Sequence, residues 1–598
     1  MASSFTRPDS GRVQSFVGAR GALAAAGLGG EAEVFHQRDV AVALCGNLRF
    51  VDPDLQAQAR DGKCGPILLE CYRLHGENML ERLSGAFALA LTDENSGKVL
   101  LAIDRMGIFS MCYTVAHDCL VFGSTADAIR AHPAVSPSLH LQAIYNYVYF
   151  HMIPGPDTIY AGHQRLSPGT CLLFRDGKAT VNTYWEMRYQ ERDNTRVSVL
   201  KGEFLNILER CVAEAADGFS AGAFLSGGTD SSTLAGMLGR VTGKPARTYS
   251  IGFEAEGYDE MEYARIAARH FKTQHREYYV TPDDVVEAIP RIAEIYDQPF
   301  GNSSAVPAYY CARLAKADGV ERLLGGDGGD ELFGGNQRYA KQYIFSFYDH
   351  LPPRLRKGLI EPLTSAIPAG DKLPVFRKFH SYVKQASVPM PARLETYNLL
   401  DHFGAGTVFN PDFLENVDPG EPGRLLDDCY QRAHAQTLIN RMLALDLKFT
   451  LADNDLPKVM KTCELAGVSA SFPMLNDRLV AFSARLAPEL KLKRTQLRFF
   501  FKEALRGFLP DEIIAKRKHG FGLPFGPWVL THERLRACVR ESLEELKKRG
   551  VIRPEFIEAL FAIHLTQHPG FYGPMVWVLV MLEQWFRYHD SPQTRRVQ

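Results

Sequence analysis

The stretch Ala221-Gly-Ala-Phe-Leu225, followed directly by Ser226-Gly-Gly-Thr-Asp-Ser-Ser232, decides the fold of this 598-residue chain. The first five residues predict a short buried strand, and a helical pattern over Thr233–Leu238 follows the glycine pair. Glycines let backbone N–H groups turn toward a ligand, and a helix N-terminus adds positive potential. A glycine turn whose Ser and Asp cap a helix is the simpler interpretation. The complete S-G-G-x-D-S-S after a strand favours a nucleotide pyrophosphate site, and without a Walker lysine it is not a P-loop.

A second loop of unusual composition follows a short predicted strand, Arg322–Leu324. The seven residues Gly325-Gly-Asp-Gly-Gly-Asp-Glu331 hold four glycines and three carboxylates, which are poor material for a core. They suit a place where the backbone approaches a ligand and carboxylates face a metal ion. A divalent cation held between Asp230 and Asp330 would neutralise a triphosphate and position its α-phosphorus for attack.

The sequence pattern of the whole chain predicts two structural parts. Up to about Trp185, short apolar runs separated by turns predict a strand-rich domain with a helix at Pro66–Leu74. The runs are Val40–Leu44, Phe87–Leu91, Val99–Ile103 and Cys119–Phe122, with Gly46-Asn47 and Asn95-Ser96-Gly97 as turns. From Val197, helical patterns alternate with short strands, of which Ala246–Phe253 is another, so a doubly wound α/β domain is predicted.

Beyond about Lys341 the pattern is mainly helical. Asp418–Gly423 is predicted to be a surface loop, and the apolar stretch Met575–Trp585 a buried helix, since it is too short to span a bilayer.

Bulk composition excludes several functional classes. Lys+Arg 68 against Asp+Glu 69 gives a formal charge of −1, which suggests neither a nucleic acid nor a membrane as partner, so basic chemistry must come from local clusters. The 11 cysteines show no C-x-x-C pair and no framework spacing, as expected for a cytoplasmic protein. The start of the chain, Met1–Arg12, lacks the apolar core of a signal peptide.

The two loops together, about a hundred residues apart, resemble the synthetase domain of asparagine synthetases and their relatives, which include β-lactam synthetases and lasso-peptide cyclases. The resemblance covers roughly Val197–Trp585, and we expect the domain to occupy residues 197–590. It implies ATP and Mg²⁺ as cofactors, adenylation of a carboxylate with release of pyrophosphate, and displacement of AMP by an amine. The ATP-binding residues that it implies are Leu225, Ser226, Gly227, Gly228, Asp230, Ser231, Ser232, Ile251, Gly325 and Gly326.

The same resemblance assigns roles to individual side chains. Asp230 and Asp330 are the expected magnesium ligands. Asp327 stands where the family has a glutamate or tyrosine that helps the amine lose its proton, although aspartate is shorter by one methylene. In the basic segment Ala515–Pro524, Lys518 is the lysine expected to stabilise the phosphates and the leaving pyrophosphate. Lys461 is expected on the substrate side.

The first part of the chain, residues 14–185, resembles the glutaminase domain that precedes this synthetase domain. That domain uses a cysteine directly after the initiator methionine as its nucleophile, but Ala2 stands there. Gly46 and Asn47, an oxyanion-hole pattern, and Asp93 remain of the degenerate glutaminase site. Processing to expose Cys45 would remove the strands before it. We therefore expect an inactive structural or docking module, so ammonia would not be made from glutamine in this chain.

The fold class predicted from these features is α/β plus α+β. A layered β domain of the Ntn-hydrolase type would precede a doubly wound, parallel-sheet ATP-pyrophosphatase domain with a helical extension. A tRNA-thiolating enzyme shares the phosphate loop, but the second loop and the first domain do not suit it.

Four functions stay open at this stage. The leading hypothesis is an ATP-dependent amide ligase that joins a small-molecule or peptide carboxylate to ammonia or an amine. The alternatives are an asparagine synthetase proper, a peptide or β-lactam-type cyclase, and a non-catalytic nucleotide-binding scaffold. Ser469–Asp477 lacks the arginine that binds aspartate in the asparagine-forming group, which argues against aspartate. The protein partners that the resemblance suggests are a second copy of the chain or a separate glutaminase.

Overall fold

The computed structural model describes residues 13–27, 31–60, 64–136, 138–192, 195–362, 374–516 and 522–589. Two regions of different architecture follow each other along the chain. The first is built on antiparallel sheets, and the second on one parallel sheet that is surrounded by helices. Both parts of the predicted fold class are therefore present.

The first region is layered around a six-stranded antiparallel sheet of order β11-β10-β6-β5-β4-β3, beside a three-stranded sheet β8-β7-β9 and the hairpin β1-β2. Its strands are β1 Gln14–Val17, β2 Ala22–Ala25, β3 Ala32–Gln37, β4 Val40–Phe50, β5 Leu83–Asp93, β6 Lys98–Ile103, β7 Cys112–Ala116, β8 Cys119–Gly123, β9 Gln164–Arg165, β10 Thr170–Arg175 and β11 Lys178–Thr183. Its helices are Pro53–Arg60, Cys64–His75, the 3₁₀ segment Gly76–Arg82, Ala126–Arg130 and Leu141–Phe150.

Both faces of the large sheet are buried at its central strands. Val42 and Leu44 of β4 pack on one face beneath helix Cys64–His75, whereas Ala41 and Ala43 pack on the other against the smaller sheets. Alternating residues of a strand point to opposite faces, so one apolar run serves two layers.

The predicted turn at Gly46-Asn47 is wrong, because both residues lie inside β4. That strand pairs with β5 along its full length, with Gly46 opposite Phe87. Gly46 has φ +100°, and a Cβ there would lie 2.4 Å from the carbonyl oxygen of Ala86. The glycine thus bends the strand without ending it, since the hydrogen-bonded ladder outweighs local turn preference. Asn95–Gly97 does form the turn between β5 and β6, as predicted.

The second region contains a five-stranded parallel sheet of order β14-β13-β12-β15-β16. Its strands, with a small hairpin at the end, are β12 Ala221–Phe224, β13 Arg247–Phe253, β14 Gln274–Val280, β15 Arg322–Leu324, β16 Ser469–Ser471, β17 Leu492–Lys493 and β18 Gln496–Leu497. The chain builds outward from β12 on one side and then from β15 on the other. The strand order therefore reverses between β12 and β15, where ligands bind in open α/β sheets.

Helices make up most of the remaining second region. They are Val197–Ala216, Thr229–Thr242, Met261–Phe271, Pro282–Ile295, Ala305–Ala317, Gly329–Phe333, Gln337–Asp349, Pro353–Leu355, Pro374–Ala386, Leu399–Phe403, Ala405–Val408, Pro411–Leu414, Glu421–Arg432, Leu438–Asp446, Leu456–Ala466, Asp477–Arg485, Pro488–Lys491, Phe499–Leu505, Asp511–Ala515, Phe525–Thr531, Glu533–Lys547, Pro554–Ala559, Leu565–Gln567 and Pro569–His589. Short 3₁₀ segments occupy Ala392–Glu395 and Pro473–Leu475, and π-helical segments Arg356–Ile360, Leu447–Asp455 and Leu560–His564.

Two of these helices differ from prediction, and one agrees. The helix after β12 begins at Thr229, so the acid and both serines of the phosphate loop lie in its first turn. Asp418–Gly423 is not all loop: a helix begins at Glu421, with Pro422 in its first turn, where a proline is well tolerated. Met575–Trp585 belongs to the buried helix Pro569–His589, as predicted. Among the described residues, no helix has the length and apolarity to cross a membrane.

The two regions are joined through buried contacts. Arg322 of β15 is 1% exposed and forms an ion pair with Glu31, which directly precedes β3. The Tyr147 hydroxyl donates to the carbonyl of Val578 at 2.8 Å, within one continuous apolar core. The first region therefore completes the core of the second.

Candidate active site

The two glycine-rich loops lie next to each other because β12 and β15 are adjacent and parallel. In the first loop, the Ser231 hydroxyl accepts a hydrogen bond from the backbone N–H of Ser226 at 3.1 Å and lies 3.0 Å from the Ser226 hydroxyl. Gly227 has φ +68°, and a Cβ there would lie 2.4 Å from the backbone nitrogen of Ala264. Only glycine fits at this bend, which directs the loop to the start of helix Thr229–Thr242.

The acidic loop needs its glycines because it packs directly on Asp230. A Cβ at Gly329 would lie 2.2 Å from Asp230 Oδ1, and one at Gly326 would lie 3.0 Å from the Asp230 Cβ. This close approach brings the Asp330 carboxylate to the same side of the cleft as that of Asp230. The fold therefore brings the two acids together, whereas the metal ion between them stays a prediction.

One cationic side chain lies between these two carboxylates. Arg498 donates from its two terminal nitrogens to Asp230 Oδ1 and Oδ2, at 2.8 and 2.7 Å, and also contacts Asp330. Its side chain is 7% exposed, and its backbone has φ +55°. The fold thus provides a position where two carboxylates meet one positive charge.

The two carboxylates at this position fit Mg²⁺ only together with the phosphate oxygens of a bound nucleotide. In the described part of the chain, no group of three His, Cys, Asp or Glu side chains could hold a metal ion. Mg²⁺ is commonly bound by one or two carboxylates together with substrate phosphates. Asp230 and Asp330 would hold such an ion once Arg498 moves aside, and phosphate oxygens would complete its coordination.

A half-buried lysine, Lys458, lies near Asp327. Lys458 Nζ is 2.7 Å from Asp455 Oδ1 and 3.8 Å from Asp327 Oδ1. Burial lowers the pKa of Lys458, but these two carboxylates outweigh burial and hold the pKa above its ordinary value, so the lysine stays charged. Burial raises the pKa of Asp327 to about 6 against the attraction of Lys458. Asp327 can therefore change its protonation state near neutral pH.

Glu331 is a further carboxyl group in the cleft. Burial raises its pKa to about 8, and the neighbouring Asp455 adds to the shift. Glu331 is therefore mostly protonated at neutral pH, unlike a typical surface glutamate. Asp455 ends the π-helical segment Leu447–Asp455, a type of irregularity that is frequent at functional sites.

These groups line one cavity of about 1350 Å³ at the switch point. The predicted residues that line it are Leu225, Ser226, Gly228, Asp230, Ser231, Ile251, Gly326, Asp327 and Asp330. Gly227, Ser232 and Gly325 lie behind this lining. Ser232 is fully buried, and its hydroxyl has no hydrogen-bond partner within the described structure.

The basic segment predicted to reach the phosphates contributes a lysine to this cavity. Lys516 Nζ lies 3.0 Å from Glu260 Oε2 and 4.4 Å from the centre of the Tyr263 ring. Its side chain is buried beside the phosphate loop, 3.5 Å from the carbonyl of Gly227. Lys518, the lysine predicted for this role, lies outside the described residues, as does Ala2.

A second large cavity, of about 1240 Å³, lies between the two regions of the chain. Cys45 and Asn47 line it from the first region, and Lys461 lines it from the second. Helix Leu456–Ala466 separates the two cavities, because Lys458 faces the first one and Lys461, 2.9 Å from Glu464, faces this one. We call this second cavity the interdomain chamber.

Of the degenerate glutaminase residues, Asn47 and Asp93 both line the interdomain chamber, but at well separated points. Asp93 ends β5, where it accepts hydrogen bonds from the backbone of Asn95 and the hydroxyl of Ser96 at 3.1 and 2.7 Å. It pairs with Val40, six positions along β4 from Gly46, a separation of about 20 Å along the strand. Asp93 therefore fixes a turn far from Gly46.

Lys458, Asp455, Arg498 and Glu331 were not predicted as site residues. The sequence did contain a signal for Asp455 and Lys458. Asp455-Leu-Pro-Lys458 places two charged residues at an otherwise apolar helix start, and charged side chains that become buried there must pair. Arg498 had none, since it follows the strand-forming Gln496-Leu497 as one more surface-type cation.

Comparison with known proteins gives matches in both regions of the chain. The family model described as asparagine synthase matches residues 203–587, and a glutamine amidotransferase domain model matches residues 59–185. Asparagine synthetase [glutamine-hydrolyzing] 1 of Bacillus subtilis is 23% identical over 87% of this chain and 80% of its own length. A putative asparagine synthetase of Mycobacterium tuberculosis is 28% identical over 80% of this chain and 72% of its own.

Among solved structures, a glutamine phosphoribosylpyrophosphate amidotransferase from B. subtilis covers 49% of this chain and 63% of its own, with 14% identity and a TM-score of 0.19. A score this low supports no functional assignment.

Proposed function

The chain belongs to the asparagine synthase family, an ATP-using group of carbon–nitrogen ligases, and on that premise we propose that its switch-point cavity adenylates a carboxylate and passes the acyl group to ammonia or an amine. The convergence of Asp230 and Asp330 on one cation position, beside a phosphate loop, is the observation that carries this proposal. A non-catalytic scaffold would not need these buried charges.

Each step has a residue of this chain to support it. The backbone of the Ser226–Ser231 loop cradles the phosphates. Asp230 and Asp330 would hold Mg²⁺, and the bound ion would supply positive charge that offsets the charge of the triphosphate. A substrate carboxylate oxygen attacks the α-phosphorus, and pyrophosphate leaves beside Lys516, while Lys518 is the lysine that the family resemblance assigns to the leaving pyrophosphate. Lys458 adds positive charge on the side of Asp327, where it stabilises the developing oxyanion.

In the second step, the nitrogen nucleophile attacks the acyl carbon and AMP leaves. The attacking nitrogen must lose a proton, and Asp327, with its pKa near 6, is the proposed acceptor. Glu331, largely protonated, lowers the negative charge that the site would otherwise hold beside the adenylate.

The nitrogen source follows from the first region. We propose an inactive glutaminase-like domain at residues 14–185 and an amide-forming domain at residues 197–590. Ala2 replaces the nucleophile, and burial raises the pKa of the Cys45 thiol to about 11, which keeps it unreactive at neutral pH. Free ammonia, a separate glutaminase or the amine of a larger substrate would then supply the nitrogen, in the cytoplasm where ATP is available.

Aspartate remains the alternative carboxylate, since the relatives named above are called asparagine synthetases. Ser469, Ala470 and Ser471 form the edge strand β16 where the sequence lacks the aspartate-binding arginine, which favours another substrate. The reaction of a peptide or β-lactam-type cyclase is also compatible with this cavity.

The direct test is exchange of labelled pyrophosphate into ATP, with magnesium and a panel of candidate carboxylates. The proposal requires exchange with at least one carboxylate and its loss in Asp230→Ala. Asp428→Ala removes a surface carboxylate that pairs with Arg432, and it serves as the matched control. Absence of exchange with every carboxylate tested, or exchange unaffected by Asp230→Ala, would contradict it.

A further inference from the structure

Large apolar side chains are exposed on one small part of the molecule. The described residues include 16 exposed large hydrophobics, and six lie between residues 344 and 397, about a tenth of the chain. They are Ile344, Phe347, Leu355, Leu359, Phe379 and Tyr397. Phe347 is 58% exposed and Phe379 is 50% exposed, so half or more of each residue is accessible to solvent. Concentration of this kind marks an interaction surface, whereas single exposed apolar residues do not.

The helices that carry these residues form a small unit with an interior of its own. Phe345 and Tyr348 of helix Gln337–Asp349 pack against Val383 and Ala386 of helix Pro374–Ala386, as a cluster separate from the main core. The Tyr382 hydroxyl donates to the carbonyl of Ile344 at 3.1 Å and ties the two helices together. Ile344 and Phe347 lie on the exposed face of helix Gln337–Asp349, away from the buried face that carries Phe345 and Tyr348, so they are not part of this interior.

The same unit is basic, although the whole chain has a net charge of −1. Lys341, Arg354, Lys357, Lys378 and Lys384 are all exposed. Of these, Arg354, Lys357, Lys378 and Lys384 make no ion pair with any residue that the structure describes, whereas Arg393 is neutralised by Asp349 at 2.8 Å. Apolar and unpaired basic side chains thus share one set of helices, a pattern typical of segments that lie on a membrane surface.

We propose that this unit, defined by its exposed residues Ile344, Phe347, Arg354, Leu355, Lys357, Leu359, Lys378, Phe379 and Lys384 and called here the basic apolar surface, binds the surface of an anionic lipid bilayer. The apolar side chains enter the boundary between headgroups and acyl chains, and the lysines and arginine contact anionic headgroups. Binding of this kind does not depend on the proposed reaction.

Charge decides between this occupant and a second copy of the chain. A two-fold dimer would place the same surface against itself, so Lys357 and Lys384 would face a second set of like charges. A bilayer with anionic lipids offers opposite charge and apolar depth together. Binding to a bilayer also requires no groove, and the exposed residues are spread over several helices, which suits a broad contact.

The surface lies beside the mouth of the active-site cavity. Gln337, Ala340 and Lys341, at the start of helix Gln337–Asp349, line that cavity. Phe347 lies six residues further along the same helix, about 9 Å at 1.5 Å per residue. A bilayer bound at Phe347 would therefore place the cavity mouth close to the headgroup region.

The test is sedimentation with vesicles of phosphatidylcholine alone and of phosphatidylcholine with phosphatidylglycerol. We expect binding only to the anionic vesicles, and a bound fraction that falls as salt is raised, because exposed charges are screened. Phe347→Ser with Leu359→Ser should weaken binding about tenfold or more, since each apolar side chain contributes on this scale. Lys357→Glu with Lys384→Glu should weaken it by a similar factor.

Val115→Ser with Val181→Ser is the matched control, because these valines are 41% and 46% exposed on the first region of the chain. Retained near-ultraviolet circular dichroism shows that each variant is folded. Equal binding to both kinds of vesicle, no binding to either, or loss of binding in the valine control as well would overturn the proposal. So would a dimer that the Phe347→Ser, Leu359→Ser variant dissociates.

Discussion

Arg498 holds the carboxylate of Asp230 with both terminal nitrogens of its guanidinium group, at 2.8 and 2.7 Å. The geometry is the bidentate fork that makes arginine–carboxylate pairs strong. The same guanidinium contacts Asp330, so one side chain occupies the position assigned to the metal ion. Arginine and the divalent ion must therefore compete for the two carboxylates.

That competition can be measured without any reaction. Replacing Arg498 by Gln should tighten binding of Mn²⁺ in the absence of ATP about tenfold, because the two carboxylates lose their internal cation. Electron paramagnetic resonance of free Mn²⁺ gives the affinity directly. Arg432→Gln, a surface variant, should leave it unchanged. Equal affinity in parent and Arg498→Gln protein would show that the two cations do not share a position.

Lys458 and Lys461 provide a comparison on one helix. Lys458 faces the nucleotide cavity between two carboxylates, whereas Lys461 faces the interdomain chamber. Lys458→Met should lower kcat/KM for ATP–pyrophosphate exchange by about 100-fold, the usual effect of removing a charge that stabilises a transition state. Lys461→Met should change it by less than about threefold. The reverse order of effects would place the reacting carboxylate in the chamber.

Asp327 should give the second step a pH dependence. Its pKa is raised to about 6, so the carboxylate is present above that pH and is lost by protonation below it. Amide formation in single turnovers at saturating ATP should therefore fall as the pH drops through about 6, and Asp327→Asn should be slower and lack this limb. A limb of the same shape and midpoint in Asp327→Asn would assign it to another group, and Asp428→Asn controls for a general effect of charge.

The ion pair between Glu31 and Arg322 should dominate the coupling of the two regions. Glu31→Ala leaves a guanidinium that is 1% exposed without its charged partner, at a cost of about 3–5 kcal/mol in the free energy of unfolding. Asp428→Ala breaks an exposed pair and should cost less than about 1 kcal/mol. Calorimetric unfolding of both variants measures the difference, and equal losses would mean that Arg322 finds compensation from Ser469 and Ala215.

We expect the Cys45 thiol to be unreactive at neutral pH. Burial holds its pKa at about 11, so at neutral pH this half-buried residue is a thiol and not a thiolate nucleophile, whereas Cys119 is exposed. Iodoacetamide should modify Cys119 in the folded protein at least about tenfold faster than Cys45, as peptide mass spectrometry can show. Glutamine hydrolysis should be undetectable and unchanged in Cys45→Ser. Measurable hydrolysis that Cys45→Ser abolishes would reverse the assignment of the first region.

Local sequence was sufficient for the two glycine-rich loops. Each consists of consecutive residues whose conformation depends on glycine and on a preceding strand, so both loops could be predicted from sequence alone. Asp230 and Asp330 meet because β12 and β15 are adjacent and parallel, and ligand-binding loops of such sheets share the carboxyl edge of the strands. Arg498 could not be predicted, because it reaches Asp230 from 268 positions along the chain through the packing of helix Phe499–Leu505. No local pattern distinguishes that arginine from a surface cation.

Strand pairing also explains two positions at which residue type alone was misleading. Gly46-Asn47 has the composition of a turn, but β5 pairs with the whole of Val40–Phe50 and holds those residues in a strand. Asp93 has the charge of a catalytic group, yet the same register places it at one end of the ladder, six positions from Phe87, where it caps a turn. In both cases the partner strand, not the residue type, sets the outcome.

Arg322 bears on how such a protein can change over evolutionary time. Its guanidinium lies in the parallel sheet that supports the proposed ATP chemistry, but the carboxylate that neutralises it comes from the domain that we propose to be inactive. A gene shortened to begin at Val197 would encode a sheet whose Arg322 has lost its carboxylate and a core that has lost residues such as Tyr147. We therefore expect the first domain to be inherited together with the second, even in a lineage that no longer uses its chemistry.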